Sequence, residues 1–167
     1  MFRSMRRKPQ QLSDSETLTI LQGCTYGVLS VMGEDGYPYG VPMNYIYDNG
    51  VLYFHGSAVG LRREAVGEGC KASFTVVEKS DVDAPALATL YRSVIMFGHV
   101  RPLRGEEETR RAAMLFGLRF LDDEEAVGAE IDREIRGLCC YAFTIEHMSS
   151  KEAKALAEER RSHADHS

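Results

Sequence analysis

A chain of 167 residues, 44% hydrophobic and 27% charged, has the make-up of one globular domain able to bury a core of its own. Its formal net charge of −5 speaks against general nucleic-acid binding, and no apolar run approaches the roughly 18 residues of a membrane-spanning helix. Residues 1–8 are basic, but no apolar stretch follows them as a secretory signal requires, so the cytoplasm is the expected compartment.

A basic extension over about residues 1–12 leads to Ser13 and Glu16, spaced as a capping box, which predicts a short helix to about Gln22. Residues 26–32 read as a strand and 33–36 as a turn. Residues 37–47 then form a long strand with a period of two: Tyr37, Tyr39, Val41, Met43, Tyr45 and Tyr47 share one face, and Pro38, Gly40, Pro42, Asn44 and Ile46 the other. Proline cannot donate to a ladder, so this strand is an edge or is interrupted, which leaves backbone groups free to meet a ligand. Asp48-Asn49-Gly50 is a tight-hairpin signal returning the chain along 51–55. One or two helical turns over 62–68, a strand over 71–77 and an acidic loop over 80–86 come next. A strand over 91–103 precedes two helices, 106–120 and 123–136. A strand over 138–145 and a charged, helical tail within about 149–167 complete the chain. About six strands joined by consecutive hairpins favour an antiparallel sheet closed into a barrel, so the expected fold class is mainly β with short helices in a single domain, 1–167.

Residues 53–64 concentrate the chemistry. An apolar strand, a Gly/Ser-rich turn and a helix opening with Arg62 and Arg63 build an anion site: unpaired N–H groups and the dipole of a helix start favour negative charge, and arginine adds a planar fork of donors. A surface helix with two solvated arginines is the plainer reading of the same stretch. His55 ends the strand just before this turn, either as a functional group or as a strand-end histidine bonded to a loop carbonyl. The tyrosines of the long strand can pave a core or interface, or stack on a flat aromatic ligand. No hydrolase, zinc-protease or P-loop motif occurs. Cys24, Cys70, Cys139 and Cys140 include no C-x-x-C pair and are expected as reduced, mostly buried thiols. No metal site is expected; His163 and His166 read as a solvated tail.

The ordered set Gly27-Val28-Leu29-Ser30, residues 36–45, Tyr53-Phe54-His55-Gly56, Gly60-Leu61-Arg62, residues 91–98 and Ile145-Glu146-His147 resembles the flavin-binding, pyridoxamine 5′-phosphate oxidase-like proteins, in particular their nitroimidazole-resistance (Nim-type) branch. The resemblance spans roughly residues 5–155. It implies a split β-barrel working as a homodimer with FMN at the subunit interface. It assigns the FMN phosphate to Arg62, on the surface of its turn, with Arg63 as helper and the backbone of Gly60 and Leu61 as donors. Met43, Asn44 and Tyr45 match the strand along the isoalloxazine ring, Ser93 and Val94 the strand completing the site, and His55 a histidine near the cofactor that serves as proton donor or substrate-positioning group. Arg62 stands where the family commonly has lysine, and Ser150-Lys151 where it often has Gly-Lys. The pyridoxal-phosphate-recognising ending of the true oxidases is not visible. The implied activity is an FMN-dependent oxidoreductase passing electrons to a small acceptor such as a nitroaromatic or a quinone. A flavin carrier or sensor without turnover and a haem-binding split barrel are the alternatives, and FAD or a deazaflavin are alternative cofactors.

Overall fold

The computed structural model describes residues 2–164, so the His166 end of the tail lies outside the described residues. Ser13 and Glu16 form the expected capping box, with Ser13 N–H donating to Glu16 Oε2 at 2.7 Å and Glu16 N–H to Ser13 Oγ at 3.3 Å, and start α1, Asp14–Gly23. The strands are β1 (Tyr26–Met32), β2 (Pro38–Asn44), β3 (Ile46–Asp48), β4 (Val51–Ser57), β5 (Cys70–Asp83), β6 (Ala88–Pro102) and β7 (Leu138–Glu152). The remaining helices are α2 (Leu61–Val66), α3 (Gly105–Leu118), α4 (Glu124–Glu134) and α5 (Lys154–Ala164). No helix among the described residues is long and apolar enough to cross a membrane.

All ladders are antiparallel, in the order β2-β1-β5-β6-β7-β4-β3. Seven strands stand where six were expected, because the long strand over 37–47 breaks at Tyr45. The Tyr45 N–H turns out of the ladder to Thr25 O at 3.0 Å, and its ring plugs the core, 1% exposed, with the hydroxyl donating to Leu21 O at 2.9 Å. β2 and β3 are thus opposite edges of one sheet, yet one residue apart in the chain. That is possible only if the sheet is rolled so that its edges approach; no ladder joins them, and the barrel is split along this seam. The two prolines lie on β2, the edge where missing N–H groups cost least.

Two other boundaries shift. The loop expected over 80–86 is mostly strand: β5 and β6 run on as a hairpin past a register shift at Val77/Lys79, turning only at 84–87. β7 continues to Glu152, seven residues beyond Ile145, because a register shift between Phe97 and Gly98 lets it keep pairing with β6 down to Arg92↔Glu152. The tail expected from about 149 is therefore strand first and helix after.

The barrel interior is filled by Leu29, Val31, Leu52, Phe54, Phe74, Val76, Val94, Met96 and Phe143, all buried. A smaller cluster of Ala112, Ala113, Val127, Ile131 and Cys140 seats the α3–α4 pair on the outer face of β4 and β7. Gly117 lets the two helices touch, since a Cβ there would lie 2.3 Å from Val127 Cγ1. The four cysteines are free thiols; burial pushes that of Cys140 up to about 12. Among the described residues no cluster of His, Cys, Asp and Glu is arranged to hold a metal.

Candidate functional site

β4 ends at Ser57, and Gly60, at φ +105°, a backbone angle that side chains resist, turns the chain into α2. Arg62 then folds back over the strand it has just left. Its Nη2 donates to Ser57 O at 3.3 Å, and its guanidinium stands 5.3 Å over the ring of Tyr141 on β7. Gly56 makes room: a Cβ at that position would come within 1.9 Å of Arg62 Nη2. Arg62 is consequently half-buried rather than spread on the surface of the turn. Its Nε and the Tyr141 hydroxyl are both enclosed, and neither has a hydrogen-bond partner among the described residues. Tyr141 is 0% exposed. Burial raises its pKa first; contact with the Cys139 thiol raises it further and contact with the Arg62 guanidinium lowers it, both approaches falling outside full hydrogen-bond geometry. Leaving a buried polar atom unpaired costs about 1–3 kcal/mol, so two on neighbouring side chains make this strand end a candidate seat for an acceptor.

Arg63 does not share this site. Its Nη1 donates to Gly67 O at 2.6 Å and its Nη2 pairs with Glu68 at 3.4 Å. A helix of six residues puts Arg63 within reach of its own free C-terminal carbonyls, and the side chain closes that end instead of assisting Arg62. Gly60 and Leu61 lie exposed on the turn, which is closed by Val59 N–H donating to Ser57 Oγ at 3.2 Å.

His55 and Gly56 are successive in β4 and so face opposite sides of the sheet. Gly56, with Arg62 across it, belongs to the barrel side; His55 points outward beneath α3. Its ring meets Phe116 edge to face, centroids 4.5 Å apart and planes at 89°. One edge of the imidazole stays open to solvent. The other lines a cavity of about 530 Å³ between α3, α4 and the ends of β4 and β7. Desolvation first, and then the charge of Arg62, lower the His55 pKa below the usual 6.5, so the ring is neutral at pH 7.

The other expected residues scatter. The side chains of Met43, Tyr45 and Val94 point into the barrel core, which leaves only their backbone for a ligand. Burial also raises the Tyr45 pKa. Asn44 is exposed, its amide donating to Thr25 O at 2.9 Å, and Ser93 is half-buried on β6, paired in register with Lys151. Strand periodicity places side chains on faces but does not say which face is inside; here it turns the odd positions of β2 inward. Tyr141 and Phe116 were not among the expected site residues. Tyr141 sits in an apolar run, Cys-Cys-Tyr-Ala-Phe, that reads as core throughout, and only its hydroxyl hints at more.

The pyridoxamine 5′-phosphate oxidase family model matches residues 13–152 of the chain. Solved structures agree in fold. A conserved hypothetical protein of Mycobacterium tuberculosis superposes with a TM-score of 0.77 at 16% identity over 92% of each chain. A candidate 5-nitroimidazole antibiotic resistance protein of Bacteroides thetaiotaomicron gives 0.68 at 20% identity, over 85% of this chain and 86% of that one. A FAD and haem binding protein of Mycobacterium smegmatis gives 0.64 at 20% identity, over 87% of this chain and 74% of that one. Among functionally curated proteins none matches.

Proposed function

The chain belongs to the pyridoxamine 5′-phosphate oxidase family, and from that premise we propose that it is a cytoplasmic, flavin-dependent oxidoreductase that holds a flavin nucleotide by its 5′-phosphate and delivers electrons to a small acceptor such as a nitroaromatic or a quinone. The observation that carries this reading is the pair of enclosed, unpaired groups at the end of β4, Arg62 Nε and Tyr141 OH. Both can donate, and Gly56, lacking a Cβ, lets the Arg62 guanidinium lie across the strand end over the Tyr141 ring. A phosphate dianion fits that donor set: charge-assisted hydrogen bonds are about twice as strong as neutral ones, and arginine presents its donors as a planar fork. FMN is the smallest flavin that carries the phosphate; FAD carries it too, and the similar protein of Mycobacterium smegmatis is described as binding FAD.

A bound flavin supplies the redox chemistry, accepting two electrons and passing them on singly or together, so the protein needs few reactive side chains of its own. Arg62 and Tyr141 anchor the phosphate. His55, neutral at pH 7, serves as a hydrogen-bond donor that orients the acceptor rather than as an imidazolium acid. A homodimer belongs to the same reading. Ile95 and Phe97, each 41% exposed on the outer face of β6, with Phe2 stacked 5.5 Å from Phe97 and 4.6 Å from His147, form an apolar face suited to a second copy.

Titration of the purified protein with FMN tests the reading. Quenching of flavin fluorescence with a Kd of about 1 µM or below is expected, or a protein that is yellow as isolated. Absence of quenching with both FMN and FAD overturns it.

A further inference from the structure

We propose that the cavity between α3 and α4 is the acceptor pocket, and that it takes a flat, uncharged aromatic molecule of one or two rings whose oxygen accepts a hydrogen bond from His55. The identification of its occupant as an acceptor rests on the flavin reading above; the existence of the site does not.

The cavity measures about 530 Å³, within the range of roughly 300–1,000 Å³ common for small-molecule sites. Its walls are Phe116, Leu121, Val127, Ile131 and Leu138, and a polar ligand would exchange water for hydrocarbon there without compensation. His55 is the one imidazole on the wall. It stands perpendicular to Phe116, and a planar guest lying along that phenyl ring meets the histidine at its edge. The charged lining residues are Glu130, Arg133 and Glu134, two carboxylates against one guanidinium, and Arg133 is already paired with Glu130. The remaining negative charge disfavours anionic guests, and the apolar wall disfavours cations.

Position ties the cavity to the phosphate anchor. His55 lines the one, Gly56 beneath Arg62 belongs to the other, and Leu138 of the cavity pairs with Ser57, whose carbonyl Arg62 holds. The two sites occupy opposite faces of the same strand end, one residue apart. That is close enough for the Arg62 charge to act on the imidazole, yet leaves the cavity free when the anchor is filled.

Nitrobenzene and 4-nitrobenzoate, two molecules of one shape that differ in charge, are the probes. Their binding to the full-length protein is followed by saturation-transfer NMR, without FMN and then with it. Ala126, exposed at the cavity rim in the first turn of α4, is replaced in Ala126→Trp so that the indole fills the space; Leu121→Trp, half exposed, does the same from the connection between α3 and α4. Nitrobenzene should bind the unaltered protein in the absence of FMN. Affinity should fall about tenfold or more in either variant that keeps its fold by circular dichroism, while FMN affinity stays within about twofold. 4-Nitrobenzoate should bind about tenfold more weakly than nitrobenzene. Three results overturn the proposal: equal nitrobenzene affinity in the filled variants; a parallel loss of FMN, which would put part of the cofactor in the cavity; or a change in particle mass on filling, which would make it a seat for a second copy. Failure of FMN to bind anything while nitrobenzene binds as described would remove the flavin reading and leave the pocket.

Discussion

Two half-buried arginine sites stand at strand ends of this barrel, and they are finished differently. At the C-terminal end of β7, Glu152 is 0% exposed and both its oxygens are taken: Arg92 Nε donates to Oε2 at 3.1 Å and Arg160 Nε to Oε1 at 2.8 Å. Gln10 adds a bond from its amide to the Glu152 carbonyl at 3.1 Å, and the cluster fastens α5 and the N-terminal segment to the sheet. At the end of β4, Arg62 lies over Tyr141 with its Nε and the tyrosine hydroxyl unpaired. Desolvation opposes both clusters. One offsets it inside the chain. The other does not, and a fold tolerates that deficit where a ligand removes it. Completeness of pairing, not the presence of an arginine, separates the structural cluster from the one proposed to bind.

The largest effect that would break this contrast is at the finished cluster. Glu152→Ala takes the shared carboxylate from Arg92 and Arg160, leaving Arg160 with Glu16 at 3.4 Å and the Gln11 carbonyl at 3.2 Å, and losing one partner of a buried ion pair costs about 3–5 kcal/mol. Both guanidinium groups are about one-third exposed, with side-chain exposures of 35% and 32%, so the lower end of that range is expected. Urea unfolding of the flavin-free protein measures it. A loss under about 1 kcal/mol would show that the apolar packing of α5 holds the chain end and that Glu152 is incidental.

Arg62→Ala should do the reverse, sparing the fold and harming the ligand. Removing a charge-assisted phosphate contact costs roughly 1.5–3 kcal/mol, or about 10- to 150-fold in FMN affinity. The unfolding midpoint of the free protein should move little, because the lost stacking on Tyr141 is offset by release of an unpaired Nε. Unchanged FMN affinity with a large loss of stability would make Arg62 a plug for the barrel end and place the phosphate elsewhere.

The sequence made one side of the contrast visible and hid the other. The strand-to-helix turn over residues 56–62 was legible because glycine and serine punctuate it, while the arginines opening its helix read equally as an anion site or as a solvated surface. The hairpin at Asp48-Asn49-Gly50 was legible for the same reason, and Asn49 and Gly50 do take the positive φ values, 46° and 84°, that it demands. The break at Tyr45 was half legible: two prolines said edge or interruption, and the strand is both, but which residue steps across the seam depends on a hydrogen bond to Thr25, distant in sequence. Glu152 falls in what the sequence presents as a charged, helical tail, since nothing local reveals that Arg92, sixty residues earlier, lies beside it. Arg63, expected as the helper of Arg62, is held instead by the Gly67 carbonyl and the Glu68 carboxylate, and the carbonyl is a partner that no side-chain pattern can show. Tyr141 escaped because a tyrosine in an apolar strand looks the same whether or not its hydroxyl finds a partner.

Tyr141→Phe tests that last residue with a smaller change of opposite sign in two states. Deleting a buried hydroxyl that has no partner should leave the free protein as stable as before or slightly more so. With the phosphate present, the same deletion removes one hydrogen bond to a charged acceptor, at the low end about 1.5 kcal/mol, and lowers FMN affinity about tenfold. Riboflavin, which lacks the phosphate, should bind both proteins equally. A Phe variant that is less stable without ligand and binds FMN normally would mean that the hydroxyl is satisfied within the fold.

The smallest effect concerns His55, beside the open cluster but on the other face of β4. Its pKa in the folded protein lies below the ordinary value, from desolvation and then from Arg62. The unfolded chain therefore takes up this proton first as pH falls. The stability that His55 contributes as a neutral ring is present in full above about pH 6.5, and is lost progressively as pH drops through the folded-state value. Since one edge of the ring meets solvent, the loss is modest. His55→Gln should abolish it, so the unfolding free energies of the two proteins, compared point by point from pH 8 to pH 5, should converge or cross on the acid side. Arg62→Ala should shrink the same slope without removing it, because desolvation by Phe116 and the cavity wall persists. Identical pH profiles for the native protein and His55→Gln would mean that His55 titrates as it does in the unfolded chain. It would then be charged through part of the working range, and its role as a neutral donor to the acceptor would fall while the Arg62–Tyr141 anchor stood.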